Sequence, residues 1–314
     1  MSRERAWQFS PYGTRSWGKC VLAWAIAIFC PIPICADVYR WDTGEVIPGT
    51  EGIEPRQGVQ LDHRDLEYAD LVWANLAYAN FEHSTLTSAD LTEADLTYAW
   101  LEYSVLSDAD LTEADLSYAN LGHATLMNAN LTEAILVETQ LNETFLANSL
   151  LTGATLSGAN LLHATLTNAD LTGADLTDAY LRDSILANAT LTAADLTSAW
   201  LGQATLSHAD LTAADLTDAE LSESVLTGAD LTNVKLTGAE LTGATLAGAN
   251  LTGAVVTGAS FRSTTSHGFT REHLYSSASY QASDLRGIRL GGNDLSDWDF
   301  SRLNVTGASF IDTT

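Results

Sequence analysis

Cysteine is confined to the first 36 residues, at Cys20, Cys30 and Cys35. The rest of the chain therefore has no disulfide framework, no thiolate nucleophile and no cysteine metal site. Positive charge is scarce. Against 14 Lys and Arg stand 40 Asp and Glu, a net charge of −26. Between Leu61 and Phe261 the ratio is steeper, 28 acids to Arg64, Arg182 and Lys235. Such a surface repels phosphates, which excludes direct nucleic-acid binding and adhesion to an anionic membrane. Catalytic signatures are missing as well. The chain has no nucleophile elbow, no Gly-rich phosphate loop and no HExxH spacing. No enzymatic activity, cofactor or metal site is expected.

What the sequence has is a period. Every fifth residue from Leu61 to Phe261 is large and apolar, and of these 41 positions only Phe81, Val256 and Phe261 are not Leu. Two residues before each lies, nearly always, Ala or Ser. A step of five smears such residues around an α-helix and alternates them across a flat strand. Burying them all requires a chain that bends once per five residues. A second period, of 20, counts the bends. Tyr78, Tyr98 and Tyr118 recur at it, as do Glu93, Glu113 and Glu133. Four sides of five residues thus make one coil, and equivalent positions stack in columns, as in a solenoid.

The run Ala89-Asp90-Leu91, Ala94-Asp95-Leu96 and its repeats resembles the pentapeptide-repeat family, whose motif is A-(D/N)-L-X-X. The resemblance covers Leu61 to Phe261. It implies an all-β fold, a right-handed quadrilateral parallel β-helix with Leu on the axis and the small residue at the inner corner. About ten coils at roughly 4.8 Å give a rod on the order of 48 Å long. The small position departs from the pattern at Arg64, Thr139, Thr144 and Val234, so the coil is expected to loosen there, above all near 134–150.

Five segments follow from the pattern. Residues 1–36 read as a signal peptide, with Arg3, Arg5, Arg15 and Lys19 ahead of an apolar run from Val21 to Ile34 and cleavage after Ala36. No integral membrane segment remains after its removal. The cut takes four basic residues and one acidic one, leaving 10 basic and 39 acidic. Residues 37–60 hold no repeat and read as an N-terminal cap or leader. Residues 61–261 are the β-helix. Residues 262–282 break the register as an insertion with a short helix from Thr270 to Ser277, capped by Thr270. Residues 283–314 resume the step at Leu285, Leu290, Leu295, Phe300, Val305 and Phe310 as degenerate terminal repeats. An uncapped end would expose strand edges. Phe300, Leu303, Val305, Phe310 and Ile311 therefore form a candidate end-to-end interface for a weak homodimer.

Sorted by the 20-residue period, the outward positions form four sides. The first carries Asp70, Asp90, Asp110, Asn130, Asp170, Asp210 and Asp230, with an unbroken Thr column from Thr92 to Thr252. The second carries Asn75, Asp95, Asp115, Asp175, Asp195 and Asp215. The third carries Asn80, Trp100, Asn120, Gln140, Tyr180 and Trp200, and the fourth is mostly β-branched or apolar. Asp and Asn at bends hydrogen-bond local backbone, and the alternative use of the columns is weak divalent-cation binding. His63, His83, Tyr103 and His123 share a column and read as stacked or solvated rings. Outward aromatics are less easily explained, so Trp100, Tyr180 and Trp200 form a candidate contact surface for carbohydrate or protein. Outside the repeats, His267, Arg271, His273 and Asp284 are the concentrated ionisable groups where a composite catalytic pocket would have to lie.

The expected function is that of an exported, non-catalytic structural or interaction scaffold with an unidentified protein partner. Two alternatives stand beside it. The family resemblance implies a DNA-mimicking inhibitor, since some members imitate B-form DNA and bind topoisomerases. The Thr ladder suggests binding to an ice or mineral lattice. Export is checked by mass spectrometry of the mature protein, which is expected to begin at Asp37. An intact Met1 or Ser2 terminus in a cytoplasmic fraction would refute it.

Overall fold

The computed structural model describes residues 37–314. The proposed signal peptide and the three cysteines lie outside the described residues. From Leu61 to Ser260 each five-residue unit makes one bridge and one turn. Asp90 pairs in parallel with Asp70 and with Asp110, and this step of 20 recurs on all four sides. Leu71 N–H donates to Asp90 O at 2.8 Å, and Asp90 N–H donates to Ala69 O at 2.9 Å. Then the chain turns, and Ala74 N–H closes on Leu71 O at 3.1 Å. One residue per side lies in a bridge, so among the described residues the ladders consist of isolated bridges and no longer strand forms. In this the β-helix differs from a sheet of conventional strands: five residues leave no room for a second paired residue between corners.

The corner has a conformational cost. The third residue of each turn has positive φ, as at Trp73 (57°), Tyr98 (58°), Glu113 (56°) and Ala193 (57°). A type II turn requires this at that position, and it costs an L-residue roughly 1–2 kcal/mol. The stacked coils impose it regardless of the side chain. In the later coils glycine takes the position, as at Gly238 (φ 73°). Proline, which lacks the N–H that the ladder uses, does not occur after Pro55.

Inside, the Leu column is sealed. Residues such as Leu91, Leu111 and Leu131 have no exposed surface, and the Ala residues at the inner corners are buried beside them. A fully buried Leu contributes roughly 2 kcal/mol, so the core amounts to many small, equal increments along an axis. At 134–150, where loosening is expected, the coil-to-coil ladder stays intact and only the turns lengthen. Thr139 and Thr144 are fully buried, and their hydroxyls donate to Leu116 O at 2.8 Å and Leu121 O at 3.0 Å in the coil before. The extra atoms thus find an acceptor. The cost is confined to the turn bonds, 3.2 Å at Thr139 and 3.3 Å at Thr144, while Gln140 N–H still reaches Ala119 O at 2.9 Å. Val234 is likewise buried, with a turn bond of 3.2 Å. Arg64 instead leaves the corner and donates from Nη1 to Gly49 O.

Residues 37–60 lie against the first coils. Asp70 N–H donates to Tyr39 O, Trp41 N–H to Tyr68 O, and Asn80 N–H to Val59 O. Val38, Ile47 and Val59 are buried against the start of the Leu column. At the other end, Ser260 pairs with Arg289, 29 positions on. The segment between is one enlarged coil. It contains a 3-10 turn (Thr265–His267), helix α1 (Arg271–Ser276) and helix α2 (Ala278–Gln281). Leu246 N–H still finds His267 O, and Gly253 N–H finds Ser276 O. Phe261, Phe269, Leu274 and Leu285 are buried and supply the four inward residues. The extra length loops outward as the helices.

The corner analysis yields a stability prediction. Ala193 is exposed and held at φ 57°. Glycine removes the left-handed penalty of roughly 1–2 kcal/mol and adds about 0.4–1 kcal/mol of unfolded-state entropy. Ala193→Gly is expected to stabilise the protein by about 0.5–1 kcal/mol, read as a higher urea midpoint. An unchanged or lowered midpoint contradicts the account of the corners.

Candidate functional site

The outward surface is built by the same units that build the core. On the first two sides each Asp closes its own turn. Thr92 donates to Asp90 Oδ1 from its N–H at 3.1 Å and from its hydroxyl at 2.7 Å. The same pair of bonds joins Thr97 to Asp95, Thr172 to Asp170 and Thr217 to Asp215. Asn serves equally, since Asn130 Oδ1 accepts from both donors of Thr132. Most hydroxyls of the Thr column are thus committed to the Asp or Asn of their own turn.

The hydrogen bonds set the local acidity. The hydroxyl of Thr212 holds the Asp210 carboxyl below its usual range. Burial pulls Asp215 upward, but bonds from Lys235 and Thr217 outweigh it and the net direction is down. Asp70 moves up, through burial first and repulsion from Asp90 second. Among the described residues no group of three or more His, Cys, Asp or Glu side chains converges on a point that would hold a metal ion.

The rings of the His63 column lie face to face. Successive centroids of His63, His83, Tyr103 and His123 are 4.9, 5.0 and 4.7 Å apart, with planes within 3°. Tyr78, Tyr98 and Tyr118 stack at 5.0 Å. Parallel rings do not aim two nitrogens at one point, so the imidazoles form a stack and not a metal pair. These two columns flank the third side. That side carries Trp100, Tyr180 and Trp200, each about half exposed, and the rings of Tyr180 and Trp200 lie 6.2 Å apart at 21°. Trp100 is separated from them by Asn120, Gln140 and Asn160, so the structure places the three predicted contact residues on one face without bringing them into one cluster. A depression of about 810 Å³ opens there, over Ser157 and Gly158, between Gln140, Asn160, Tyr180 and Trp200.

The ionisable groups of the C-terminal segment do not converge. His267 faces Ser263 O, Arg271 pairs with Glu272, and Asp284 pairs with Arg286. Of the four predicted there, only Arg271 lines the shallow notch of about 530 Å³ beside Phe269 and Trp298. The Arg271 bond holds Glu272 down at about 2. His273 has a structural place. Its Nδ1 accepts from Thr270 N–H at 2.9 Å, and its ring lies over Phe269. Among the predicted end residues, Phe300, Leu303, Val305 and Phe310 are partly buried against the core, and Ile311 is 62% exposed. Sequence reasoning missed Asn293, which is buried. Its Nδ2 donates to Phe261 O and Leu290 O, and its Oδ1 accepts from the N–H groups of Thr264 and Thr265. A lone polar residue at an inner corner was the available signal.

Fold and surface define a four-sided parallel β-solenoid with an acidic exterior. Pentapeptide repeats match the chain in 8 copies, in overlapping stretches from residues 57–92 to 224–262. The chain belongs to the pentapeptide repeat family, whose solved members are right-handed β-helices. It is similar to HetL, a pentapeptide repeat protein involved in heterocyst differentiation regulation from the cyanobacterium Nostoc sp. strain PCC 7120. The identity is 33% over 65% of this chain and 91% of that one, with a TM-score of 0.40. QnrB1, a plasmid-mediated fluoroquinolone resistance protein, is 17% identical over 59% and 91%, with a TM-score of 0.33. A pentapeptide repeat protein of the Arabidopsis thaliana thylakoid lumen is 25% identical over 37% and 67%, with a TM-score of 0.18. No curated protein matches the chain.

Burial lowers the His273 pKa below its ordinary 6.5, so the ring is neutral in the fold at pH 7. A depressed histidine contributes stability that is present above its unfolded pKa and is lost as pH falls through the folded one. Amide protection across 270–281 is expected to drop on acidification below about pH 6.5. His273→Asn keeps an acceptor near Nδ1 and cannot titrate there, so its protection should be flat between pH 7.5 and 5. Equal behaviour of the two proteins in hydrogen exchange would contradict this assignment.

Proposed function

We propose that the protein is an exported, non-catalytic scaffold that engages a protein partner through its acidic sides. The observation that carries this reading is the use of the Asp columns. At Asp90, Asp110 and Asp170 Oδ1 is occupied by the Thr two residues on, while the carboxylates themselves remain on the outside of the ladder. The result is a pre-ordered array of negative charge in runs, interrupted at Asn130, Leu150 and Thr190 on the first side and at Ile135, Thr155 and Lys235 on the second, which a basic partner meets at little ordering cost. Export rests on the sequence of residues 1–36. Among the described residues no helix is long and apolar enough to cross a membrane.

A second reading, inhibition of a DNA-binding protein by mimicry, is favoured by the same two columns, in whose unbroken runs, such as Asp70, Asp90 and Asp110, the charges repeat at the coil rise. It requires a cytoplasmic location, so the compartment separates the two. Self-association is a further part of the proposal. Phe300, Val305 and Phe310 are only partly covered, with Ile311 exposed beside them, a patch suited to an isologous contact between two copies.

One capture experiment addresses these points. Immobilised protein is compared with a variant carrying Asp→Asn at positions 90, 110, 170, 210 and 230. Asn130 and Asn250 already close the same turn, so the substitutions remove charge and leave the corner intact. The variant is expected to lose the captured partner, while a free tagged copy of the chain is retained by both and released by Phe310→Asp. A partner bound equally by the neutral variant would overturn the acidic-surface reading, and failure to retain the tagged copy would overturn the end contact.

A further inference from the structure

Charge is segregated around the rod. Between Thr85 and Gly248 the sequence holds 23 acids. With each corner counted to the side before it, Asp108 alone of these belongs to the fourth side. The bridge column of that side is uncharged from Thr85 to Thr245, and it alternates. Val105, Phe145, Ile185 and Val225 stand between threonines, one coil apart. Phe145 and Ile185 are 49% and 42% exposed. Apolar ridges thus recur every second coil, with a shorter side chain in each gap. The stretch begins at the coil of Asp65. It ends past Thr245, where the enlarged coil takes over and Leu246 N–H meets His267 O.

Rods with a net charge of −26 repel one another. The other three sides would set carboxylates against carboxylates, so a second copy is admitted face to face on the fourth. We propose that two copies pair antiparallel through this side, about a two-fold axis that crosses the rod between Phe145 and Thr165, midway from Asp65 to Thr245. Such an isologous contact sets each column against itself in reverse. Phe145 then faces Thr165 of the other copy, Val105 faces Thr205, Ile185 faces Thr125 and Val225 faces Thr85, each ridge against a gap.

The two corner columns that border the side support the same axis. Reversed about it, Glu143 meets His163, Asp183 meets His123, Glu223 meets His83, and on the other corner Asp108 meets His208. Every acid of the two columns between Thr85 and Gly248 therefore faces an imidazole. Asn128 and Asn148 face Asn188 and Asn168, amides that both donate and accept. Within one chain His123 Nδ1 already lies 3.3 Å from Glu143 Oε2, so these side chains reach one another at this corner. A shift of one coil either way sets Glu143 against Asp183 or against its own equivalent, and ridge against ridge. A parallel pair sets Phe145 on Phe145.

Nine coil rises of roughly 4.8 Å by a side roughly 10 Å across give about 430 Å² per copy. That is about half of what a standard interface buries per partner. The pair is therefore weak, with a dissociation constant on the order of 0.1 mM, and is sparsely populated in a capture at low micromolar concentration. It uses neither the Asp columns nor the C-terminal end, so it and the scaffold reading fail independently.

The test is sedimentation equilibrium with small-angle scattering, from about 10 μM to 1 mM and near pH 6. The full chain carries Phe310→Asp, which removes the end contact. A dimer of doubled cross-section is expected. Phe145→Asp and Ile185→Asp should each raise the dissociation constant about tenfold or more. Asp occupies this bridge column at Asp65, so the coil accommodates it. Ile135→Asp, on the opposite side, should change nothing. His208→Asp, which faces Asp108, should weaken pairing about tenfold, and adding Asp108→His should restore it. Both residue types already occupy such corners, at Asp178 (φ 57°) and His163 (φ 58°). Circular dichroism establishes that each coil is intact. The proposal is overturned if the chain stays monomeric, which leaves the face to a different partner, if Ile135→Asp is as damaging as Phe145→Asp, or if the reversed pair fails to restore association.

Discussion

Coil-to-coil backbone hydrogen bonding is the constraint from which the rest of this molecule follows. Each bridging N–H and C=O must meet a partner one coil away, so every coil must present its peptide groups on the same four lines. Leucine at every fifth position fills the axis that this stacking encloses, and alanine two before it lets the corner close. The enlarged coil shows how strict the requirement is. Between Ser260 and Arg289 the chain is longer than a normal coil, yet four apolar residues still point inward and the backbone of Leu246 and Gly253 is still paired. The surplus is expelled as two short helices because surplus inside would break the ladder above it.

The corner links the fold to its surface. A residue held at positive φ has its side chain directed outward, and its equivalents recur at the coil spacing. Flat rings in that column are driven into parallel stacks, as in His63 through His123 and Tyr78 through Tyr118. Carboxylates at the bridge position meet a different local demand, because the turn offers them an N–H and, at many corners, a Thr hydroxyl. Structural use and surface chemistry are therefore not alternatives for Asp90 or Asp170. One oxygen closes the turn, and the charge still faces outward.

Near the C-terminal segment, single polar residues do what repetition does elsewhere. Asn293 uses both ends of its amide to tie Phe261 and Leu290 to the start of the insertion. The hydroxyls of Tyr275 and Tyr280 clamp Asp299, one accepting from its N–H and the other donating to its carbonyl. Where no neighbouring repeat supplies a partner, buried backbone groups are satisfied by side chains.

Periodicity was enough to determine the solenoid, its four sides and the buried Leu column, because a step of five and a column of 20 bury every Leu only in a four-sided coil; the Ala at the inner corner came with the family resemblance, and the helix after Thr270 with its capping residue at the break in register. The sequence also showed that Trp100, Tyr180 and Trp200 point outward. Other features depended on three-dimensional neighbours. Thr139 and Thr144 read as flaws until their hydroxyls were seen to reach Leu116 and Leu121 one coil away. The rings of the His63 column, read from sequence as stacked or solvated, lie flat on one another. Gln140 and Asn160 became part of a groove only because Ser157 and Gly158, on the preceding side, leave space across the corner. The physical reason is common to all three. A repeat encodes which column a side chain joins, whereas its hydrogen bonds and open volume depend on the sizes of neighbours 20 residues away and around the bend.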